Sequence, residues 1–153
     1  MAITLILGGA RSGKTAHALA AAEALDTEME ERICRHRAER GPRWRTLEAP
    51  LDLAGALTQV SAGETAVVDC LTLWVSNLMH AGRDIEMETA SLIAALAGRD
   101  VLLVSNEVGL GIVPDNALAR RFRDAAGRLN QQVAAAADQV VFVAAGLPLV
   151  LKG

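Results

Sequence analysis

Short unbroken apolar runs alternate along this chain with longer stretches in which apolar residues recur every three or four positions. Ile3 to Leu7 is the first such run. It ends in Gly8-Gly9 and is expected to be a buried strand, followed by an Ala-rich helix from Lys14 to about Ala22. Asp26 to Arg40 is also helix-like: Asp26 can cap it, Met29 and Ile33 share one face, and Gly41-Pro42 ends it. Trp44 to Glu48 has the character of a short strand, and Asp52 to Val60 that of a modest helix closed by Ser61-Ala62-Gly63. Thr65 to Asp69 is a second strand, with an apolar helix from Leu71 to His80 after it. Ile85 to Leu96 is a further helix, with Ile85, Leu92, Ile93 and Leu96 on a related face. Val101 to Ser105 is a third strand, and a Gly-rich loop, NEVGLGIVPDN, follows. The longest helix is expected from Ala117 to about Ala137, with Leu118, Phe122, Leu129 and Val133 as its stripe. Gln139 to Val143 is a fourth strand, and Leu149 to Lys152 has the character of a fifth.

Continuous apolar strands that alternate with helices predict an α/β fold. The sheet should be mostly parallel, with helices on both faces. The 153 residues suit a single domain spanning 1–153. Composition changes this picture little. Hydrophobic residues make up 52% and charged residues 22%, a globular balance that excludes a disordered chain. With only Trp44, Trp74, Phe122 and Phe142 as aromatics, the core must rest on Leu, Ile, Val and Ala. The net charge of −3 gives no electrostatic reason to expect nucleic acid or an acidic membrane surface as partner. No apolar run approaches the ~20 residues of a membrane span. Cys34 and Cys70 form neither a metal spacing nor a disulfide framework, which fits a reducing cytoplasm.

The chemistry-bearing pattern is Gly8-Gly9-Ala10-Arg11-Ser12-Gly13-Lys14-Thr15, which matches G-x-x-x-x-G-K-[ST] with a strand before it and a helix after it. In such a loop the glycines turn backbone N–H groups inward around phosphate oxygens, and the helix N-terminus adds its positive end. Lys14 can reach the β- and γ-phosphates, and the Thr15 hydroxyl can ligate Mg²⁺. The bland alternative is a Gly-rich turn with a solvated lysine. Asp69, at the end of an apolar strand, is where a second acid would hold Mg²⁺; a turn or helix cap is its alternative role. Asn106 and Glu107 also end a strand at the ligand side of such a sheet, where they could touch a ligand or cap the next turn.

Six arginines, at 32, 35, 37, 40, 43 and 45, surround His36, with Glu39 as the one acid among them. They suit a phosphate-binding face, a solvated helix with i,i+4 pairs such as Glu28–Arg32, or, with little aromatic support, a nucleic-acid surface. Neighbouring guanidinium groups disfavour imidazolium, and a neutral His36 could attack an α-phosphorus to give a nucleotidyl-histidine. As an isolated residue it fits an ordinary surface histidine better than a nucleophile. His17 and His80 have the character of helix-face residues.

GGARSGKT, ALDTEMEERICRHRAERGPRWRTLEAP, VVDCLTLWVSNL, LVSNEVGLGIVPDNALARRFRD and GRLNQQVAAAADQVVFVAAGLPLVLKG together resemble the bifunctional adenosylcobinamide kinase / adenosylcobinamide-phosphate guanylyltransferase family over most of the chain. The resemblance implies a RecA-like P-loop domain and two reactions in cobalamin biosynthesis. One phosphorylates adenosylcobinamide; the other transfers GMP from GTP to the resulting phosphate. It further implies that His36 is the guanylylated residue and that Lys14 acts in catalysis. Gly8 to Thr15, Arg37, Ala38, Glu39, Arg40, Glu48 and Asp69 would bind nucleotide, with Thr15 and Asp69 at the Mg²⁺. GTP or ATP would be the substrates, and the protein would assemble as a homo-oligomer such as a trimer. In one respect the chain departs from the family: about fifteen residues, including a strand, are missing between the first helix and the ALDTEM block. A nucleotide-binding but catalytically impaired relative, or another small-molecule P-loop kinase, are the competing expectations.

Overall fold

The computed structural model describes residues 1–26 and 44–153. Five strands form one sheet: β1 (Ile3–Gly8), β2 (Thr65–Asp69), β3 (Asp100–Asn106), β4 (Gln139–Ala144) and β5 (Leu147–Lys152). Their spatial order is β2-β3-β1-β4-β5. The first four are parallel to their neighbours and β5 runs antiparallel to β4. The helices are α1 (Lys14–Asp26), α2 (Leu53–Thr58), α3 (Leu71–His80), α4 (Ile85–Leu96) and α5 (Ala117–Ala136).

The period-2 alternation of the strands sorts their side chains into two apolar layers. Leu5, Leu7, Val101, Leu103 and Val140 pack with α3, α4 and α5 on one face. Ile6, Leu102, Val104, Val141 and Val143 pack with Ala18 and Ala22 of α1 on the other. Small residues on α1 let it lie close to the sheet, so the loop before it is held tightly against the strand ends. Leu5, Ile6, Leu102 and Leu103 are essentially inaccessible, as expected for central parallel strands covered on both faces.

Elements end where local chemistry ends them. Asp52 accepts from Gly55 N at 2.8 Å, Asp84 from Met87 N at 3.1 Å, and Asn116 from Ala119 N at 2.7 Å; each caps a helix start. Lys152 of β5 donates to the carbonyls of Ala134, Ala135 and Ala137, satisfying the last turn of α5. Pro148 is accommodated because β5 is an edge strand, where a missing N–H costs no ladder bond.

The expected α/β architecture is present, with three corrections. Trp44 to Glu48 is not a strand. This stretch has no regular structure and its residues 45–48 are exposed, so no buried face rewards alternation; Arg45 is engaged instead with the Gln59 carbonyl at 2.9 Å and Glu64 at 3.3 Å. The stripe of α5 begins later than expected. Leu118 is 59% exposed, while Ala125, Ala126, Leu129, Asn130 and Val133 are the buried positions, because Leu118 borders an open cavity with Ser76, Met79 and His80 of α3 and packing on the core begins one turn later, at Phe122. β5 starts at Leu147, before the proline rather than after it. The helix expected over Asp26 to Arg40 falls, beyond Asp26, outside the described residues.

Candidate functional site

The carboxyl ends of the parallel strands form the rim on which ligands sit in open α/β sheets. β1 leads there directly into Gly8–Thr15. Arg11 and Gly13 adopt left-handed conformations, φ 55° and 94°, and the chain closes a turn with Ser12 N donating to Gly9 O at 3.3 Å. At two glycines the packing admits no side chain. A Cβ on Gly8 would lie 2.6 Å from the Val143 carbonyl and also strike Ser12 Oγ. One on Gly13 would press on Gly146 Cα at 3.2 Å, in a conformation L-residues rarely adopt.

The loop is braced on both flanks. Glu107 N donates to Gly8 O at 3.0 Å from the end of β3. Gly146 N, in the turn between β4 and β5, donates to Ser12 O at 2.7 Å. Both groups in that turn, Ala145 and Gly146, have positive φ, the geometry of a tight hairpin. A preorganised loop of this kind leaves its inward amides ready for an anion, and the first turn of α1 carries no acid to compete.

Two polar groups in the loop have no ordinary structural use. Lys14 is only 8% exposed, with Nζ donating to the Gly9 carbonyl at 2.9 Å. Ser12 Oγ is buried and unpartnered among the described residues. A buried lysine curled onto its own loop is poised to exchange a carbonyl for phosphate oxygens. An unpartnered buried hydroxyl is a cost that a ligand would remove.

Of the expected site residues, Gly8, Gly9, Ala10, Arg11, Ser12, Gly13, Lys14 and Thr15 are brought together in this one loop and the helix it opens. Asp69 ends β2, exposed, on the same rim. It is not on the strand next to β1, because β3 lies between them. Glu48 lies in the irregular stretch before α2 and is exposed. His36, Arg37, Ala38, Glu39 and Arg40 lie outside the described residues, as does most of the arginine cluster. A separate cavity of about 330 Å³, lined by Ser76, Met79, His80, Asn116, Leu118, Ala119 and Phe122, contains no residue of the loop. His80 itself is exposed, its Nδ1 2.7 Å from the Ser76 carbonyl of its own helix.

The pattern that defines the cobinamide kinase / cobinamide phosphate guanyltransferase family matches residues 4–151. The chain belongs to this family. The bifunctional adenosylcobalamin biosynthesis protein CobP of Pseudomonas aeruginosa is 46% identical, over 97% of this chain and 96% of the relative. The proteins of the same description named CobU in Salmonella typhimurium and Escherichia coli are each 40% identical, over 97% of this chain and 98% of their own length. The Pseudomonas alignment spans 168 positions and takes in 97% of the 153 residues here, so about 20 residues of that family member have no counterpart in this chain. Among the described residues, β2 is the outer strand of the sheet.

Sequence reasoning missed a buried polar cluster at this rim: Thr72 of α3, Ser105 of β3 and Asn130 of α5. Ser105 Oγ donates to Asn130 Oδ1 at 2.7 Å and lies 3.4 Å from Thr72 Oγ1. No local pattern could reveal it, because its members come from three elements far apart in the chain.

Proposed function

We propose that this chain catalyses both reactions of its family, phosphorylation of the hydroxyl of adenosylcobinamide and guanylylation of the phosphate so formed. The observation that carries the reading is the braced phosphate loop, with Lys14 buried against it and Ser12 Oγ without a partner, in a chain matched by the family over nearly its whole length.

In the first reaction the acceptor oxygen forms a bond to the γ-phosphorus of a purine triphosphate as the β–γ bridging bond breaks. A nucleoside diphosphate leaves and the hydroxyl proton is released. The loop amides and Lys14 hold the β- and γ-phosphates and offset charge as it develops. In the second, His36 attacks the α-phosphorus of GTP and pyrophosphate leaves. The cobinamide phosphate oxygen then displaces the histidine from that phosphorus, giving the GDP-linked product. The arginines beside His36 suit the charge on the transferring group.

Thr15 and Asp69 are the residues that would hold Mg²⁺. A hydroxyl at the first turn of α1 and a carboxylate on the same rim form an all-oxygen donor set, which suits a hard cation shared with nucleotide phosphates. When bound, the ion supplies neutralisation of the β- and γ-oxygens.

A second reading is favoured by the residues missing relative to the Pseudomonas protein: nucleotide binding with one or both transfers lost. The two are separated by incubating the protein with adenosylcobinamide, Mg²⁺ and ATP or GTP, and in parallel with GTP labelled at the α-phosphate. The bifunctional reading predicts phosphorylated product and acid-labile label on the protein that is absent in His36→Ala. Nucleotide binding with neither product would leave the impaired reading standing.

A further inference from the structure

We propose that Asn106 is a catalytic residue of the phosphoryl-transfer step, held in place by the buried Thr72–Ser105–Asn130 cluster, whose members are positioning residues. The proposal rests on the kinase reading above and identifies a contact to the γ-phosphoryl group that the loop itself does not provide.

Alternation along β3 fixes which way Asn106 belongs. Val101 and Leu103 pack in the layer of α3 to α5, and Ser105 continues that face toward Thr72 and Asn130. Leu102 and Val104 pack in the layer under α1, and Asn106 continues that one. On β2, Val67 packs in the α1 layer and Ala66 and Val68 in the other, so Asp69 shares the α1 face as well. Thr15, in the first turn of α1, approaches the same face from above.

Register then sets the spacing. Asn106 pairs with Gly8 of β1, and Asp69 pairs with Val104. Asn106 thus stands between the phosphate loop and the strand of the acid, two residues beyond Asp69, or about 7 Å along the strand. This is the side of the site where β- and γ-phosphates would meet Lys14, Thr15 and the acid.

The main chain around Asn106 is fixed from three directions. Its N–H donates to Thr72 Oγ1 at 2.7 Å, and its carbonyl accepts from Asn130 Nδ2 at 3.4 Å. The next amide, of Glu107, donates to Gly8 O. Its carboxamide, in contrast, is bonded to none of the described residues. Thr72, Ser105 and Asn130 are 8%, 1% and 6% exposed, beside a core layer built of apolar side chains. Val, Ala and Leu would fill these places without desolvating polar groups. What the polar cluster delivers is a rigid seat for Asn106. Glu107, its neighbour, is used differently: its Oε1 accepts from Gly109 N at 2.7 Å and closes the following turn.

A neutral amide donor suits the chemistry. Charge spreads over the equatorial oxygens of the γ-phosphoryl group during transfer. Asn106 Nδ2 can donate to one of them without competing with Lys14. Attack at the α-phosphorus by His36 develops charge at the α-phosphoryl group and the α–β bridging oxygen, away from the γ-oxygen that Asn106 would hold, so loss of this contact weighs far more on the kinase step than on the guanylyl step.

The test compares wild type with Asn106→Ala, Asn106→Ser and Asn130→Leu in two assays on the same preparation: phosphorylation of adenosylcobinamide, and protein labelling from α-labelled GTP. Loss of one preorganised donor predicts a fall in kinase kcat on the order of 10²-fold for the Asn106 variants, with nucleotide KM within about 3-fold of wild type. Asn130→Leu should give the same pattern at about 10-fold. The ratio of kinase rate to label should drop with kcat, which a smaller folded fraction cannot cause. If the wild type phosphorylates but takes no label, the kcat-against-KM split decides alone. Thr72→Ser should retain the rate and Thr72→Val should lose it. Parallel loss of both activities, a rise in KM at constant kcat, or full kinase activity in Asn106→Ala would overturn the proposal. A wild type with no kinase activity would instead remove the reading on which it stands.

Discussion

Gly8 and Lys14 mark the two ways in which single residues make this site. Gly8 is needed because a methyl group would collide with the Val143 carbonyl, and that carbonyl belongs to β4, a strand paired on both sides that has little room to yield. Gly8→Ala should cost about 1–3 kcal/mol in stability, read by denaturant unfolding, and abolish nucleotide binding. Lys14 is needed for its charge. Lys14→Met keeps the stem that lies against the loop and removes the ammonium, so the fold should survive while kinase kcat/KM falls on the order of 10²-fold. Both residues were legible in the sequence, because a phosphate loop is a contiguous pattern and its glycines declare the backbone they must adopt. Thr72, Ser105 and Asn130 were not legible. Each looks ordinary in its own element, and only the sheet brings them within hydrogen-bond distance.

Elements were legible to the extent that one segment decides its own structure. The four parallel strands were legible within a residue or two, β1, β3 and β4 because burial forces a largely unbroken apolar run and β2 because its short apolar stretch ends in an acid. Trp44 to Glu48 misled because its composition is strand-like while its position offers no partner face. Leu118 misled because helical periodicity does not show that this turn of the helix borders an open cavity beside α3. Two element ends give measurable consequences. Lys152 satisfies carbonyls at the end of α5, and Lys152→Met should lower stability by roughly 0.3–1 kcal/mol, seen as a reduced melting temperature. The turn before β2 is closed by Glu64, whose carboxyl is held below its usual 4.5 chiefly by the Ser61 N–H and further by Arg45. A lowered carboxyl contributes stability above the usual value and loses it as pH falls through its folded-state value. The small difference in melting temperature between wild type and Glu64→Gln should therefore be present at neutral pH and close on acidification below 4.5.

The order of the strands across the whole molecule could not be inferred from their order in sequence. β3 lies between β1 and β2, so the loop and the acid are separated by a strand whose own end, Asn106, becomes part of the site. The family match over residues 4–151 and the braced loop point to the same chemistry from independent directions. Both transfers require a purine triphosphate in the cradle from Gly8 to Thr15. Isothermal titration of the folded protein with GTP and with ATP, each with Mg²⁺, tests this most directly. Saturable heat is expected for the wild type, lost in Gly8→Ala and weakened in Lys14→Met. Absence of heat with both nucleotides, or equal heat in all three proteins, would contradict it.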